Sequence, residues 1–156
     1  MKTQKILVIL ALVLISIFAN CSPPLAITTL EMKPQTSPLI RAVLSDDIKK
    51  IKLEISKGTN LNFKNYFGWT ALHYAVVKNS EEMIKPLIKN GADINIGDEK
   101  RGQTPLHFAA MTGKKQAVEL LLLNNADPYK KDINNKIPKR LAANKEILDL
   151  FRKYEH

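Results

Sequence analysis

The sequence has a single cysteine among its 156 residues, and it lies at position 21. One cysteine excludes an internal disulfide and any zinc site built from several cysteines. Histidine occurs only three times, and the sequence has neither a glycine-rich phosphate loop nor the spacing of metal ligands. Catalysis needs a nucleophile with a base, paired carboxylates or a metal cluster. We therefore predict a protein with no catalytic residues, no metal, no cofactor and no small-molecule substrate.

The sequence has few acidic residues: it contains 24 lysines and arginines but only 15 aspartates and glutamates, which gives a net charge of +9. The lysines are scattered over several predicted elements, without the interleaved aromatic residues that stack on bases. We therefore do not predict nucleic-acid binding. Electrostatic attraction to anionic lipid or to a cell-wall polymer stays open as a minor hypothesis.

The N-terminal segment 1–20 differs from the rest of the chain. Lys2 and Lys5 precede the apolar stretch 6–19, which is interrupted only by Ser16 and ends at small residues. A positive start, a short apolar middle and a small-residue exit are typical of a secretory signal peptide, which we assign to residues 1–20. The stretch is shorter than the roughly 20 residues of a spanning helix, so a permanent anchor is the alternative interpretation.

The segment Phe18-Ala19-Asn20-Cys21 resembles the lipobox of bacterial lipoproteins. The resemblance implies that Cys21 is acylated and becomes the new N-terminus. Phe18 and Asn20 replace the usual leucine and small residue, as in the relaxed version that some bacteria use. The alternative is ordinary cleavage nearby, which leaves Cys21 as an unmodified thiol. Residues 21–36 contain three prolines, which stiffen such a segment into a tether.

The remainder of the chain is repetitive. The segment TALHYA at 70–75 recurs as TPLHFA at 104–109, and GAD at 91–93 recurs at the same spacing as NAD at 125–127. A weaker copy begins with SPL at 37–39, and a truncated one begins near position 137. A period of roughly 33 residues is typical of a solenoid, in which stacked neighbours bury the apolar faces that single units leave open.

These motifs resemble the ankyrin repeat over residues 37–156. The resemblance implies an all-α solenoid of about four helix-turn-helix units joined by β-hairpin loops. The repeats would span residues 37–64, 65–97, 98–131 and 132–156, with the two end repeats as degenerate caps. It also implies that the domain binds another protein, as a monomer, through hairpin tips and the exposed side of the inner helices.

Local signals place the helices within this frame. Thr70 and Thr104 are predicted to cap inner helices, because a threonine hydroxyl accepts an unpaired backbone N–H at a helix start. The resemblance implies that His73 and His107 hydrogen-bond these turns and hold adjacent repeats in register. Outer helices are predicted at 81–89 and at about 114–123, and we expect Pro86 to kink or fray the first of them.

The predicted contact surface lies on the loops and the inner helices. The aromatic residues around Gly68 belong to a turn that the fold should expose, and aromatic side chains are common anchors of interfaces. The alternative for Trp69 is that its ring packs onto the next hairpin and closes the stack. The predicted contact residues are Tyr66, Phe67, Trp69, Val77, Lys78, Glu99, Lys100, Arg101, Gln103, Met111, Thr112, Ile133, Asn134 and Lys136.

Together these patterns predict a non-catalytic protein-binding module that a lipid on Cys21 holds at the bacterial cell envelope. The module would lie on the periplasmic side of a membrane or at the cell surface. Two alternatives stay open: a surface-exposed lipoprotein that binds a host molecule, and an envelope structural protein that contacts anionic polymer or lipid.

The lipid anchor can be tested with the variant Cys21→Ala. Without the thiol there is no acceptor for the acyl chain, so we expect lipid labelling to disappear and the protein to accumulate as precursor or in soluble form. Metabolic labelling with a fatty acid, followed by membrane fractionation, measures both effects, and Ser22→Ala is the matched control. Unchanged labelling and membrane retention in Cys21→Ala would contradict the lipobox interpretation.

Overall fold

The computed structural model describes residues 36–154, and within this range seven α-helices and one 3-10 helix form without a strand. The signal peptide, Cys21 and the tether up to residue 35 lie outside the described residues, as does His156. None of the described helices is long and apolar enough to cross a membrane. The helices are α1 (Pro38–Leu44), α2 (Ile48–Ser56), α3 (Ala71–Val77), α4 (Glu81–Lys89), α5 (Pro105–Met111), α6 (Lys115–Leu123), the 3-10 helix Pro138–Leu141 and α7 (Lys145–Tyr154).

The helices stack as pairs. Helices α1, α3 and α5 form an inner row in which each helix packs against the next, and the 3-10 helix packs against α5 at the end of this row. Helices α2, α4, α6 and α7 form the outer row in the same order. This arrangement confirms the prediction of an all-α repeat solenoid.

Short polar signals start the helices. The Ser37 hydroxyl accepts a hydrogen bond from Ile40 N at 3.1 Å, and the Asp47 carboxylate accepts one from Lys50 N at 2.9 Å. Proline occupies the first position of α1, of α5 and of the 3-10 helix, where the missing N–H has no intrahelical partner to lose. The helix starts are thus specified by residues local to each repeat.

Residues in the left-handed conformation end the helices at equivalent positions of each repeat. Both Gly and Asn tolerate a positive φ, which reverses the chain after a helix. Between inner and outer helices these residues are Asp46, Asn79 and Gly113, and after the outer helices they are Gly58, Gly91 and Asn125.

One apolar core runs through all the repeats, from Leu39 in α1 to Phe151 in α7. Alanines such as Ala75 and Ala109 are fully buried between inner helices, and their small side chains allow the close approach that stacking requires. Each repeat therefore buries its apolar face against its neighbours, as expected for a solenoid.

Helix α4 continues through Pro86 to Lys89, so the frayed turn that we expected there does not form. Proline removes one backbone hydrogen bond from a helix interior. Here Ile84 and Leu87, on either side of Pro86, are completely buried in the core, and this packing maintains the helix up to Lys89.

The two end repeats differ from each other. The first repeat forms helices of 7 and 9 residues, the same lengths as in the central repeats, so its degeneracy lies in the sequence motif alone. The fourth repeat has only the four-residue 3-10 helix in place of an inner helix. Its outer helix α7 still buries Ile147, Leu150 and Phe151, and so closes the core at this end.

The connecting loops fold back on themselves, but among the described residues they contain no strand. In each loop one backbone hydrogen bond of 2.9 to 3.0 Å closes the turn. These bonds run from Asn65 N to Trp69 O, from Asp98 N to Gln103 O and from Asp132 N to Lys136 O. The predicted hairpins are therefore tight turns, too short to build a ladder.

The surroundings of Gly68 show how closely the loops are stacked. Its φ is +76°, and a Cβ atom added there would overlap with the backbone nitrogen and side chain of Glu99 in the next loop. Gly58 also has a left-handed φ, of +72°, but a Cβ added there meets no atom within 4 Å. It is the matched control.

We expect Gly58→Ala to lower the free energy of unfolding by roughly 1–2 kcal/mol, the cost of a left-handed alanine. Gly68→Ala should lower it by about 3 kcal/mol or more, because steric overlap between the loops adds to that cost. Urea unfolding followed by circular dichroism measures both values. Equal losses would mean that the loops can separate without cost.

Candidate functional site

Each of the three loops begins with an Asn or Asp side chain that organises it. The Oδ1 atom of this residue accepts two backbone N–H groups from later in the same loop, at 2.7 to 3.2 Å. Such bonds mimic a backbone turn. The three anchoring residues are Asn65, Asp98 and Asp132, each buried. They close the three loops in the same way, although the loop at 98–103 is one residue longer than the other two.

The loop tips are also joined to each other. Glu99 N donates a hydrogen bond to Phe67 O at 3.3 Å, and Ile133 N donates one to Arg101 O at 2.9 Å. The first bond links the loop at 65–69 to the loop at 98–103, and the second links that loop to the one at 132–136. The three tips therefore form one continuous surface.

A buried histidine connects each central inner helix to the following loop. Nδ1 of His73 lies 3.1 Å from Thr70 N and 2.9 Å from Thr70 Oγ1, both of which can donate. Because Nδ1 accepts, the proton of a neutral ring is on Nε2, which donates to Gln103 O at 3.3 Å. His107 repeats this arrangement and reaches Lys136 O at 3.1 Å.

Burial keeps these histidines neutral. Loss of solvent lowers the pKa of His73 to about 4, and the same cause lowers the pKa of His107. A neutral ring satisfies both nitrogens here, since one accepts at the helix start and the other donates to a carbonyl. The geometry therefore gives both histidines a positioning task within the solenoid.

Trp69 lies between two repeats rather than on an open tip. It is half-buried, and its ring centroid is 4.7 Å from that of Phe108, 5.0 Å from that of Tyr74 and 5.8 Å from that of His73. These ring contacts favour the alternative in which the indole packs against the next repeat. Asn65 adds to the cluster through its Nδ2, which donates to the Tyr74 hydroxyl at 2.8 Å.

Two other aromatic residues of the same loop point outward. Tyr66 is 71% exposed and Phe67 is 46% exposed, and their rings meet edge to face at 5.5 Å. The ammonium group of Lys100 lies 4.7 Å from the centre of the Phe67 ring, within range of a cation–π contact. Tyr66 and Phe67 are therefore aromatic side chains that solvent can reach on the first of the joined loop tips.

A cavity of about 430 Å³ opens beside this aromatic pair. Aromatic side chains from both the loops and the inner helices form its wall, together with charged and amide groups from the loop at 98–103. The lining residues are Phe67, Trp69, Tyr74, Asp98, Lys100, Arg101, Gln103 and Phe108. Five of these eight were among the predicted contact residues.

The predicted contact residues differ in how exposed their side chains are. Val77 is half-buried like Trp69, and Gln103 is buried. The exposed ones are Tyr66, Phe67, Lys78, Glu99, Lys100, Arg101, Met111, Thr112, Ile133, Asn134 and Lys136. The structure brings the loop residues together, whereas those at positions 77, 78, 111 and 112 lie at the C-terminal ends of α3 and α5, outside the cavity wall.

Gln103 differs from what was predicted, because only 4% of it is exposed. Its Nε2 donates to Asp132 Oδ2 at 3.3 Å, and its backbone carbonyl accepts from His73. Burial disfavours the charged form of Asp132, but hydrogen bonds from Lys136 N, Gln103 Nε2 and Asn134 N outweigh it and lower the pKa of Asp132. Gln103 thus belongs to the wall between two loops.

Lys78 and Thr112 are exposed but already have partners. Lys78 Nζ forms an ion pair with Asp46 Oδ2 at 2.7 Å and also donates to Leu44 O at 3.2 Å. The Thr112 hydroxyl donates to Phe108 O at 2.6 Å. These bonds engage both side chains within the solenoid, so the loop tips offer the more available contacts.

Sequence reasoning missed Tyr74 and Phe108 as wall residues and the three loop anchors. A signal existed in each case. Tyr74 and Phe108 each follow the motif histidine of their own repeat, so aromatic rings recur at one position of the repeat. Asn65, Asp98 and Asp132 likewise recur at the start of the second, third and fourth repeats.

Stacked helix pairs with a row of joined loop tips define a helical repeat solenoid. A family model described as "Ankyrin repeats (3 copies)" matches residues 39–136, which is more than half of the chain. The chain belongs to the ankyrin-repeat family. Ankyrin repeats indicate a protein–protein interaction module, and the described part of this chain consists of such repeats.

Individual relatives share only a short stretch with this chain. Mitochondrial disaggregase of Homo sapiens is 31% identical over 61 residues, which is 39% of this chain and 9% of the relative. Ankyrin repeat domain-containing protein 40 of Homo sapiens is 35% identical over 68 residues, 43% of this chain and 18% of the relative. The 2-5A-dependent ribonuclease of Homo sapiens is 37% identical over 68 residues, 43% of this chain and 9% of the relative. The chain therefore spans less than a fifth of each of these proteins.

The buried histidines make stability depend on pH. A pKa difference of one corresponds to about 1.4 kcal/mol, so the depression of the pKa of His73 from 6.5 to about 4 represents up to about 3 kcal/mol. The unfolded chain binds the proton below pH 6.5 and the folded chain does not, so acid favours unfolding. We expect the contribution of His73 to the free energy of unfolding to be at its maximum above pH 6.5 and to fall as the pH drops toward 4.

Urea unfolding at pH 7.5, 6.0 and 5.0 measures this slope, because carboxylates begin to titrate mainly below pH 5. His73→Gln should be less stable at pH 7.5 and should show a shallower slope. A wild-type stability that stays constant from pH 7.5 to 5.0 would contradict the neutral, buried assignment of His73.

Proposed function

We propose that this protein is a binding module held at the bacterial cell envelope by a lipid on Cys21, and that it binds a partner protein through the joined loop tips. The observation that carries the proposal is the pair of exposed aromatic rings, Tyr66 and Phe67, beside the cavity. Aromatic side chains are enriched among the residues that dominate binding energy at protein interfaces.

The arrangement of the loops supports this surface. Backbone hydrogen bonds join Phe67 to Glu99 and Arg101 to Ile133, so the tips hold a defined shape before any partner arrives. A preorganised surface loses little conformational entropy when it binds. Ile133, 68% exposed, extends the apolar part of the surface onto the third loop.

The envelope location rests on the sequence alone. Residues 1–20 have the pattern of a signal peptide, and the cysteine at position 21 stands where a lipobox would place it. The tether that follows would give the binding surface reach from the membrane, because proline-containing segments are extended and stiff. The cellular location of the captured partner would identify the membrane and the leaflet at which this protein lies.

The surface can be tested by crosslinking in intact cells with the full-length lipidated protein. Tyr66→Ala combined with Phe67→Ala removes the aromatic pair while leaving Trp69 in its contacts with the next repeat. We expect this variant to lose a discrete crosslinked partner that the wild type captures, because it loses the exposed aromatic anchors.

The matched control is Leu123→Ala combined with Tyr129→Ala, which removes two side chains of similar exposure, 59% and 60%, from the outer-helix end of the third repeat. Both variants should retain wild-type helicity by circular dichroism. The same captured partner in wild type and in the loop variant, or its loss in the control alone, would move the binding site away from the loop tips.

A further inference from the structure

We infer that the cavity beside Phe67 receives a tyrosine side chain from an acidic segment of the partner protein. This inference rests on the proposed function, because it names the occupant of the same surface. Three properties of the cavity carry it: its aromatic wall, an unpaired buried acceptor in that wall, and the charge of its rim.

The wall selects an aromatic occupant. The rings of Phe67 and Trp69 from the loop at 65–69 and of Phe108 from α5 line one space of about 430 Å³. This volume lies within the roughly 300–1,000 Å³ of typical ligand pockets. Aromatic rings attract further rings in offset or edge-to-face geometry, beyond the benefit of burying apolar area. A flat aromatic side chain therefore suits the space.

The acceptor selects a ring that carries a donor. Gln103 Nε2 must face Asp132, because a carboxylate oxygen only accepts, and this fixes the orientation of the amide. The opposite atom, Oε1, is buried and has no hydrogen-bond partner among the described residues. A buried acceptor without a partner costs about 1–3 kcal/mol. A tyrosine hydroxyl supplies the missing donor, whereas phenylalanine does not.

The hydroxyl reaches Oε1 by a local adjustment. Oε1 is covered in the unbound protein, so the Gln103 amide or a side chain of the rim must rotate as the ring enters. Lys100 and Arg101 form the rim and are exposed, and neither forms an ion pair within residues 36–154. Their side chains are thus not held in place by a carboxylate.

The rim selects an acidic segment around the tyrosine. Lys100 and Arg101 both lie at the cavity. The carboxylate of Asp98 also lines the cavity, where it is buried and accepts backbone N–H groups from its own loop, so the three charged side chains leave a net positive charge there. Glutamate or aspartate beside the tyrosine complements this charge.

The test uses full-length protein in detergent and calorimetric titration with synthetic capped peptides. The first peptide has one tyrosine between two glutamates on each side. Its three counterparts replace the tyrosine with phenylalanine, replace the tyrosine with alanine, or replace all glutamates with glutamine. We expect the tyrosine peptide to bind about tenfold more tightly than the phenylalanine peptide, since a buried hydrogen bond is gained.

We expect the alanine peptide to show no measurable binding and the glutamine peptide to bind more weakly than the glutamate peptide, without its salt dependence. Equal affinity for the tyrosine and phenylalanine peptides would overturn the role of Gln103. Equal affinity for the tyrosine and alanine peptides, or for the glutamate and glutamine peptides, would overturn the inference as a whole.

Variants of the protein locate the binding. Lys100→Gln combined with Arg101→Gln should lower the affinity for the tyrosine peptide and for the phenylalanine peptide to the same degree. Lys49→Gln combined with Lys50→Gln removes the same amount of charge from α2 and should change neither of these two affinities. Gln103→Met should abolish the preference for tyrosine over phenylalanine, and the peptide comparison on wild type still decides the question if this variant fails to fold.

The inference and the proposed function can fail separately. If crosslinking in cells depends on Tyr66 and Phe67 while no peptide binds, the loop surface stands and the tyrosine occupant is wrong. If the peptides bind as expected while the cellular partner is captured without the aromatic pair, the cavity is a genuine binding site and the proposed surface for that partner is wrong.

Discussion

The histidine at the start of each central inner helix connects the loop before that helix to the loop after it. One ring nitrogen accepts from the threonine at the helix start, and the other donates to a backbone carbonyl in the next loop, as in the pair His73 and Gln103. Both bonds are shielded from water, where hydrogen bonds are strong and unpaired groups are costly. The positions of the loops at 98–103 and 132–136 therefore depend on rings that burial keeps neutral.

The hydrogen bonds of these histidines hold the loops in defined positions. Each is closed by a buried Asn or Asp, and the tips are joined through Phe67, Glu99, Arg101 and Ile133. The result is a surface whose shape is set by the solenoid rather than by the loops themselves. A cavity can form between two loops only because both are held at a constant distance, and the close approach of Gly68 to Glu99 shows how small that distance is.

The aromatic cluster shows where sequence reasoning succeeded and where it stopped. The concentration of aromatic residues around Gly68 correctly indicated an exposed pair, Tyr66 and Phe67. It could not show that Trp69 packs against Phe108, because these residues belong to different repeats and meet only after the two have stacked. The same limit applies to Gln103, whose neighbour Asp132 belongs to the following repeat. Likewise, helix α4 passes through Pro86 because the core on either side maintains it.

The sequence by itself determined the repeat period, the helix starts and turns, and the all-α class, because these depend on residues close together in the chain. A threonine or serine cap, a left-handed glycine or asparagine, and an apolar face at helical spacing each act within one repeat. Only the tertiary structure decided which side chains of neighbouring repeats share a space. Contacts between repeats produce the cavity, the unpaired Gln103 Oε1 and the half-buried Trp69. The strength of such contacts depends on distances between side chains, which a sequence pattern does not contain.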